Sequence, residues 1–252
     1  MKKSLFLLLL FLAAAALSFA DNITFCYHKF GYAMEDIYST LPEVLEWQIK
    51  YLKDNKIPII HMNEFVDIYK NKKDMGDNAL LTADDGWKSD VDILPVLDRQ
   101  MVPMTMYLIA SVIKNGAKDY LNPFDLRILM ADKWVEYGCH TNTHPVMTKL
   151  DDAGLKYEVN DSKAALEAVT GTTLNTFAYP YGILNKKVEN YVKQYYDAAF
   201  GVNDGVNRAG TNLYNVNRFV IYRNTTFGEF MGMCGYLKEV KADDPYSVRD
   251  RI

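Results

Sequence analysis

The sequence predicts an α/β fold, a single distorted (β/α) barrel with about seven parallel strands. Short runs rich in β-branched and aromatic residues alternate along the chain with segments whose apolar residues recur every three or four positions. The alternation continues without a break in composition and without a Gly/Ser-rich linker. Strands that alternate regularly with helices are typical of one parallel barrel rather than of two separate domains.

The amino-terminal half supplies the first predicted strands, at 23–27, 57–60, 80–83 and 103–110. Thr40 and Glu43 have the spacing of a capping box, so we expect the first helix to start there and to end near Asp54. Asn63 is predicted to cap a second, short helix. A third helix is predicted at 92–100.

The carboxyl-terminal half continues the same alternation. Helices are predicted at 123–137, 152–169, 186–196 and 227–237, and strands at 177–179, 198–202 and 218–222. We expect Gly138 and Gly171 to end the first two of these helices, because glycine readily adopts the left-handed conformation that follows many helices. The two halves together supply the strands of the predicted barrel.

The first twenty residues predict a cleavable secretory signal. Lys2 and Lys3 precede an apolar stretch, and small residues precede the expected cleavage site. A retained amino-terminal anchor is the alternative. The predicted organisation is therefore a signal peptide at 1–20, one folded domain at 21–240 and a charged tail at 241–252, in a secreted or periplasmic protein.

The charge of the chain argues against some classes of partner. The 32 acidic residues outnumber the 28 basic ones, and removal of Lys2 and Lys3 makes the balance more acidic still. Nucleic acid and anionic lipid surfaces are therefore not expected as partners. No second long apolar stretch follows the signal, so stable membrane insertion after cleavage is not expected either. Glycine-rich nucleotide-binding motifs are absent from the sequence.

The three cysteines, Cys26, Cys139 and Cys234, are too few and too far apart for a dense disulfide framework. One disulfide with one free thiol agrees with this number, and so do three buried thiols. No two of the cysteines have the spacing of metal ligands, so a cysteine-based zinc site is not expected.

An apolar run at 80–83 ends in two adjacent carboxylates, Asp84 and Asp85, followed by Gly86. The run is typical of a buried strand, and the glycine permits a sharp exit that leaves both acids at the carboxyl end of the strand. In α/β folds, this end of the strands carries the chemistry. An ordinary Asp-Asp-Gly turn is the alternative interpretation.

Two of the four histidines, His140 and His144, lie within five residues of each other. Imidazoles at positions i and i+4 lie on one side of a helical turn or tight loop and can share a metal ion. With a third, oxygen ligand they leave a position for water, which is the arrangement of a catalytic rather than a structural zinc-type site. Two surface histidines are the alternative.

A third strand end carries Pro180, Tyr181 and Gly182. The proline fixes the chain, and the N–H of Tyr181 could then point at a developing oxyanion. An ordinary aromatic turn is the alternative. Trp87, Tyr179 and Tyr181 are either platforms for sugar rings or, by default, packing residues beside their strands.

Together and in this order, the three segments resemble the motifs of the metal-dependent polysaccharide deacetylases of carbohydrate esterase family four, which share the NodB-homology domain. The first family motif is Thr-Phe-Asp-Asp-Gly, the second His-Ser/Thr-x-x-His, and the third ends in Pro-Tyr. They correspond to residues 82–86, 140–144 and 180–181. The resemblance extends over nearly the whole chain after the signal, so the domain at 21–240 is identified as similar to a polysaccharide deacetylase domain.

The resemblance implies hydrolysis of acetamide groups in a polysaccharide that contains N-acetylhexosamine, such as an exopolysaccharide, peptidoglycan or a chitin-like polymer. It gives the role of general base to Asp84 and that of an oxyanion donor to the N–H of Tyr181. The residues implied to hold one divalent metal ion are Asp85, His140 and His144. Zinc is the expected metal, with cobalt or nickel as alternatives, and Thr141 is expected to tie down the histidine loop.

Two departures from the usual family pattern occur. Family members usually carry an arginine shortly before the Pro-Tyr, which orients the base, and a late histidine that acts as general acid, whereas this chain has neither. In this it is similar to members that act on exported poly-N-acetylglucosamine, in which an amino-terminal Tyr-His supplies the acid. The resemblance therefore implies His28 as the acid, with a packed or capping histidine as the alternative. Arg218 could replace the missing arginine or form a surface salt bridge, and His61 is expected to be structural.

Because of these departures, two further functions stay open. One is a non-catalytic carbohydrate-binding protein on the same fold, and the other is a metal-dependent amidase that acts on a non-sugar amide. Metal content distinguishes the first from an enzyme, and a substrate profile distinguishes the second.

Overall fold

A seven-stranded sheet of parallel strands forms the centre of the fold. The computed structural model describes residues 21–32, 36–73 and 76–237, so the predicted signal at 1–20 and the predicted tail at 241–252 lie outside the described residues. In chain order, the strands are β1 (Asn22–Tyr27), β2 (Lys29–Phe30), β3 (Ser39–Thr40), β4 (Asn78–Asp85), β5 (Met104–Leu108), β6 (Val135–Cys139), β7 (Thr176–Ala178), β8 (Ala198–Phe200) and β9 (Phe219–Val220). The helices are α1 (Pro42–Asp54), α2 (Met62–Asn71), α3 (Leu94–Gln100), α4 (Ala110–Asn115), α5 (Pro123–Met130), α6 (Asp152–Leu155), α7 (Ser162–Thr170), α8 (Lys186–Val192) and α9 (Phe227–Cys234).

The strand order across the large sheet is β8-β7-β6-β5-β4-β1-β9, and β2 pairs with β3 in a separate two-stranded sheet. Every neighbouring pair in the large sheet is parallel. The order ends at β8 and β9, so the sheet is a curled half-barrel flanked by helices. The predicted single (β/α) barrel with about seven parallel strands is confirmed.

The strands are buried, as parallel strands covered by helices must be. Every residue of β1, β5, β7 and β8 is buried. Helices α1 and α9 cover β1, where Phe25 stacks on Phe230 at 4.8 Å and Trp47 packs edge-on against the same ring. Burial of each such side chain contributes about 1.5–3 kcal/mol to the free energy of unfolding. The three cysteines, Cys26, Cys139 and Cys234, are buried and form no disulfide among the described residues, which agrees with the second of the predicted alternatives. None of the helices in the described residues is long and apolar enough to cross a membrane.

The predicted starts of the first two helices are wrong. Thr40 lies in β3, and α1 begins after Leu41 without a side-chain cap, so Thr40 and Glu43 form no capping box. His61 rather than Asn63 precedes α2. Both helices are held by the packing of their apolar faces, which does not depend on a cap.

The predicted strand at 57–60 is reduced to a single bridge between Ile59 and Ala79. Pro58 has no N–H to donate to a strand ladder, so pairing does not extend from it. Its carbonyl still accepts from the N–H of Ala79 at 2.9 Å. This segment therefore lies beside β4 without becoming a strand of the sheet.

The predicted helix at 123–137 is wrong in its second half. The helix α5 ends at Met130, and β6 follows after a short turn. Gly138 therefore lies inside a strand rather than after a helix. A Cβ atom at Gly138 would lie 2.2 Å from the ring of Tyr107 on the neighbouring strand, so the close approach of β5 and β6 requires glycine there.

The predicted helix at 152–169 is confirmed in a modified form. It consists of α6 and α7, joined by a π-helical segment at Lys156–Asp161. Gly171 ends α7 in the left-handed conformation, with φ 66°, as predicted. The helix packs against the loop that follows β6, which brings it to the edge of the sheet where the polar motifs lie.

Candidate active site

The carboxyl ends of the parallel strands meet at one edge of the half-barrel, and a cavity of about 450 Å³ opens there. Its walls include all six residues predicted as a site: His28, Asp84, Asp85, His140, His144 and Tyr181. They end or follow β1, β4, β6 and β7. The sheet topology thus brings together residues that are far apart in sequence.

Three potential metal ligands form a compact group: Asp85, His140 and His144. Asp85 Oδ1 lies 3.5 Å from the Nε2 atom of each histidine, and the two Nε2 atoms are 3.1 Å apart. Asp85 Oδ2 accepts the indole N–H of Trp87 at 3.0 Å, whereas the buried Oδ1 atom has no hydrogen-bond partner among the described residues. Such an oxygen facing two imidazole nitrogens fits a divalent cation, because the cation would supply the missing partner.

Both histidines are held so that Nε2 faces the carboxylate. His140 Nδ1 lies 2.8 Å from the carbonyl oxygen of Ala178, and because a carbonyl can only accept, the proton is on Nδ1 and Nε2 has a free lone pair. The ring of His144 lies edge-to-face against that of Tyr181, with centroids 4.6 Å apart. The Thr141 hydroxyl accepts the N–H of His144 at 2.9 Å and so ties the loop together.

We expect the metal-free protein to lose stability as the pH falls from about 6.5 to about 4. Burial, with a contribution from the neighbouring His140, lowers the pKa of His144 from 6.5 to about 4. An unfolded histidine binds a proton near 6.5, so protons favour the unfolded state in this window and the free energy of unfolding falls on acidification. Chemical denaturation of chelator-treated protein at several pH values measures the slope of the free energy of unfolding against pH.

The matched variant for this measurement is His144→Gln. It should reduce the slope without abolishing it, because burial also lowers the pKa of His28. A slope in the variant equal to that of the unmodified protein would contradict the assignment to His144.

Asp84 is held by a buried arginine. Arg218 Nη1 donates to Asp84 Oδ1 at 2.8 Å, and Nη2 donates to Oδ2 at 2.7 Å. The guanidinium is itself fixed by the carbonyl of Gly201 and the hydroxyl of Thr82, at 2.7 and 3.2 Å. Burial alone would raise the pKa of Asp84, but the charge of Arg218 and its hydrogen bonds to the carboxylate hold that pKa well below its usual range. Asp84 is therefore ionised at neutral pH.

The arginine that the third motif lacks thus has a spatial counterpart. Arg218 is fully buried, so the alternative of a surface salt bridge is wrong. It reaches Asp84 from the start of β9, 134 positions away in sequence. The rings of Tyr107 and Phe200 lie 5.6 and 6.0 Å from the guanidinium and enclose it.

His28 lines the same cavity. Its Nδ1 atom is buried without a hydrogen-bond partner among the described residues, and its ring contacts that of Tyr38 with centroids 5.0 Å apart. Burial lowers the pKa of His28, although the charges of Asp84 and Asp85 act in the opposite direction. The imidazole is therefore neutral at neutral pH, and its protonated form is a stronger acid than that of an exposed histidine.

Tyr181 has φ 59°, a left-handed conformation, in the short turn after β7. Its side chain is 58% exposed at the rim of the cavity. The oxyanion role of its N–H stays a prediction. Tyr179, in contrast, is fully buried and its hydroxyl donates to the carbonyl of Tyr214 at 3.0 Å, so it is a packing residue.

Two residues that contact the site were not predicted from the sequence. The Cys26 thiol lies 3.5 Å from Asp84 Oδ2 inside the core. Glu158, in the π-helical segment, accepts hydrogen bonds from the loop between the two histidines. Glu158 lies among the apolar positions of its helix, beside Leu155 and Val159, and a charge on that face is the signal that could have identified it.

The opposite edge of the sheet contains none of the predicted catalytic or metal-binding residues. A second cavity, of about 520 Å³, lies at the amino ends of β6 and β7. His61, expected to be structural, is near this edge, where it pairs with Glu136 at 3.0 Å and stacks on Trp134. Its contacts agree with that expectation.

Comparison with known proteins agrees with this fold. Residues 71–197 match the family model described as polysaccharide deacetylase. A deacetylase of Streptococcus pyogenes, PplD, solved in complex with acetate, has a TM-score of 0.78 at 19% identity, with 86% of this chain and 99% of that chain covered. IcaB from Ammonifex degensii has a TM-score of 0.74 at 20% identity, with 87% and 97% covered. A polysaccharide deacetylase from Bacillus cereus has a TM-score of 0.74 at 24% identity, with 84% and 68% covered. A search of curated protein sequences found no match.

Proposed function

The chain belongs to the polysaccharide deacetylase family, and from this premise we propose that it is a metal-dependent N-deacetylase of a polysaccharide containing N-acetylhexosamine. The observation that carries the proposal is Asp85 Oδ1, a buried oxygen that has no hydrogen-bond partner in the described part of the chain and that faces two imidazole nitrogens. Beside it lies Asp84, which Arg218 keeps ionised. A cation site polarises water, and an ionised carboxylate next to it can accept the proton that the water loses.

The proposed ligands are Asp85, His140 and His144, with zinc as the expected metal and cobalt or nickel as alternatives. The ion, when bound, supplies the positive charge that polarises water and the acetamide carbonyl. Asp84 accepts the proton of the attacking water, for which its ionised state and its position 3.9 Å from His140 Nε2 are suited. The N–H of Tyr181 donates to the developing oxyanion.

The remaining step is departure of the amine. An amide nitrogen leaves only after it gains a proton, and His28 is the acid proposed to supply it. His28 is neutral before turnover, so it must first receive a proton, and the one that Asp84 takes from water is available within the same cavity. Acetate and the free amino sugar are then the products.

Aromatic residues at the rim of the cavity favour a sugar as the substrate. Tyr38 and Tyr222 contact each other with ring centroids 5.6 Å apart, and both rings are partly exposed. The indole of Trp87 stacks on the ring of Tyr120, with ring centroids 4.1 Å apart, and also lines the cavity. Exposed aromatic rings are suited to contact the apolar faces of sugar rings. These contacts favour a carbohydrate over a small non-sugar amide.

The proposal includes export, as the pattern of the first twenty residues predicts. The protein would then meet its polysaccharide in the periplasm or outside the cell. A polymer of the cell envelope or an exopolysaccharide is accessible there without transport of the substrate.

Removal of the metal is expected to abolish acetate release from N-acetylglucosamine oligomers, and zinc should restore it. About one divalent ion is expected at this site, because Asp85, His140 and His144 each offer one ligand atom to a common position. His140→Ala should lose both the metal and the activity, since it removes a ligand whose lone pair is already aimed at the site. Metal analysis and an acetate assay on the same samples check this result.

The control is Thr172→Ala, a change outside this cavity that should leave metal content and activity unchanged. Full acetate release from verified metal-free protein would contradict metal dependence. Metal and glycan binding without acetate release would support the non-catalytic binding protein, and release from simple amides alone would support the amidase.

A further inference from the structure

The histidine loop, residues 140–144, contains two residues whose backbone dihedral angles are unfavourable for their residue types. Thr141 and His144 have φ values of 69° and 60°, in the left-handed region that residues other than glycine rarely adopt. A loop in this conformation keeps its shape only when surrounding contacts determine it. Its contacts therefore decide where the His144 imidazole lies relative to that of His140.

One side of this loop is held through its carbonyl groups. The N–H groups of Ala110 and Ser111, at the start of α4, donate to the carbonyls of Thr141 and Asn142 at 3.1 and 3.0 Å. The histidine at the start of the loop has a separate contact, since its Nδ1 atom donates to the carbonyl of Ala178. These bonds fix one side of the loop and leave its N–H groups to be satisfied from elsewhere.

The other side of the loop is held by one carboxylate. Glu158 Oε2 accepts the N–H groups of Asn142 and Thr143, both at 2.8 Å, and Oε1 accepts the hydroxyl of Thr143 at 2.6 Å. Glu158 is only 4% exposed, so these charge-assisted bonds replace the water that the carboxylate has lost. Without them, two N–H groups just before His144 would lose their partner.

The π-helical segment that carries Glu158 is itself stabilised. Its irregular hydrogen bonding is compensated by Ser162, whose hydroxyl lies 2.6 Å from the carbonyl of Glu158 and 3.2 Å from that of Val159. Short π-helical segments inside α-helices occur frequently at functional sites. Here the segment presents a buried carboxylate to the histidine loop.

We propose that Glu158 is a positioning residue that sets the spacing of the two histidine ligands and thereby the affinity for the metal. The inference rests on the proposed function, because it presumes that Asp85, His140 and His144 hold an ion. Glu158 acts through hydrogen bonds to the loop and touches neither ion nor substrate. Partners of this kind typically change metal affinity by about 10–100-fold when they are removed.

The test is competition for zinc between the protein and a chromophoric chelator. Glu158→Ala is expected to weaken zinc binding about 10–100-fold. Glu158→Gln should bind zinc nearly as well as the unmodified protein, since its amide oxygen can accept both N–H groups and its NH₂ can donate to the Thr143 hydroxyl. Asp161→Ala is the matched control, because it removes an exposed acid of the same segment that pairs with Lys156.

Unchanged zinc affinity in a folded Glu158→Ala protein would overturn the proposal, as would a loss in Glu158→Gln as large as that in Glu158→Ala. Should Glu158→Ala fail to fold, Thr143→Val removes only the hydroxyl contact and should weaken zinc binding several-fold; wild-type affinity there would also overturn it. Failure of the unmodified protein to bind zinc, cobalt or nickel would instead refute the proposed metal site, so the two failures are distinguishable.

Discussion

Asp84→Asn is expected to lower the rate of acetate release by about 10²–10⁴-fold while the metal stays bound. Asparagine has nearly the same shape as aspartate but cannot accept a proton from water. Asp84 is buried and kept ionised by Arg218, so its place in the cavity is that of a base rather than of a surface charge. The three proposed ligands are untouched by the change. Turnover of N-acetylglucosamine oligomers and metal content, measured on one preparation, check both parts of the expectation.

A second substrate separates the proposed base from the proposed acid. An activated acetate ester has a leaving group that departs without protonation, so His28→Asn should impair its hydrolysis much less than that of the acetamide. Asp84→Asn should impair both, because water must be activated in either case. Equal loss on both substrates in His28→Asn would argue against the acid role of His28, and undiminished turnover in Asp84→Asn would refute the base.

The residues at the strand ends could be predicted from the sequence because their patterns are local. An apolar run that ends at Asp84 and Asp85, and two histidines four positions apart, can be identified without knowing what lies beside them in space. Parallel topology then brings the ends of β4, β6 and β7 to one edge, so a correct fold class was enough to group these residues. The structure adds the distances, which no sequence pattern contains.

The supporting residues could not be predicted in the same way, since their roles depend on distant packing. Arg218 reaches Asp84 only because β9 lies next to β1, a pairing between the two ends of the domain. Glu158 acts through a π-helical segment, and helical periodicity alone does not indicate one. The sequence around β6 predicts the end of a helix rather than a strand, because a short apolar run with a glycine is compatible with either structure. Gly138 closely approaches Tyr107 of the neighbouring strand, and only the three-dimensional structure shows this contact, which a strand at this position requires.

Arg218→Met is expected to destabilise the protein by about 3–5 kcal/mol, because it leaves a buried carboxylate without its partner. Arg218 makes two short bonds to Asp84, and both side chains are buried. Chemical denaturation at neutral pH measures the loss. Arg99→Met is the matched control: Arg99 also makes two hydrogen bonds to a carboxylate, that of Glu46, but both side chains are partly exposed to solvent, so its change should cost no more than about 1 kcal/mol.

The pH dependence and a double variant test whether the unpaired charge is the cause. In the unmodified protein the pKa of Asp84 is depressed, so its stabilising contribution is present above about 3.8 and is lost as the pH falls through the lower, folded value. In Arg218→Met, burial raises the pKa of Asp84, so protonation removes the uncompensated charge and the deficit should shrink on acidification. The acid limb of the activity profile should move to higher pH for the same reason. Asp84→Asn combined with Arg218→Met should lose less stability than the sum of the two single changes, and simple additivity would mean that Arg218 acts on the fold independently of the base.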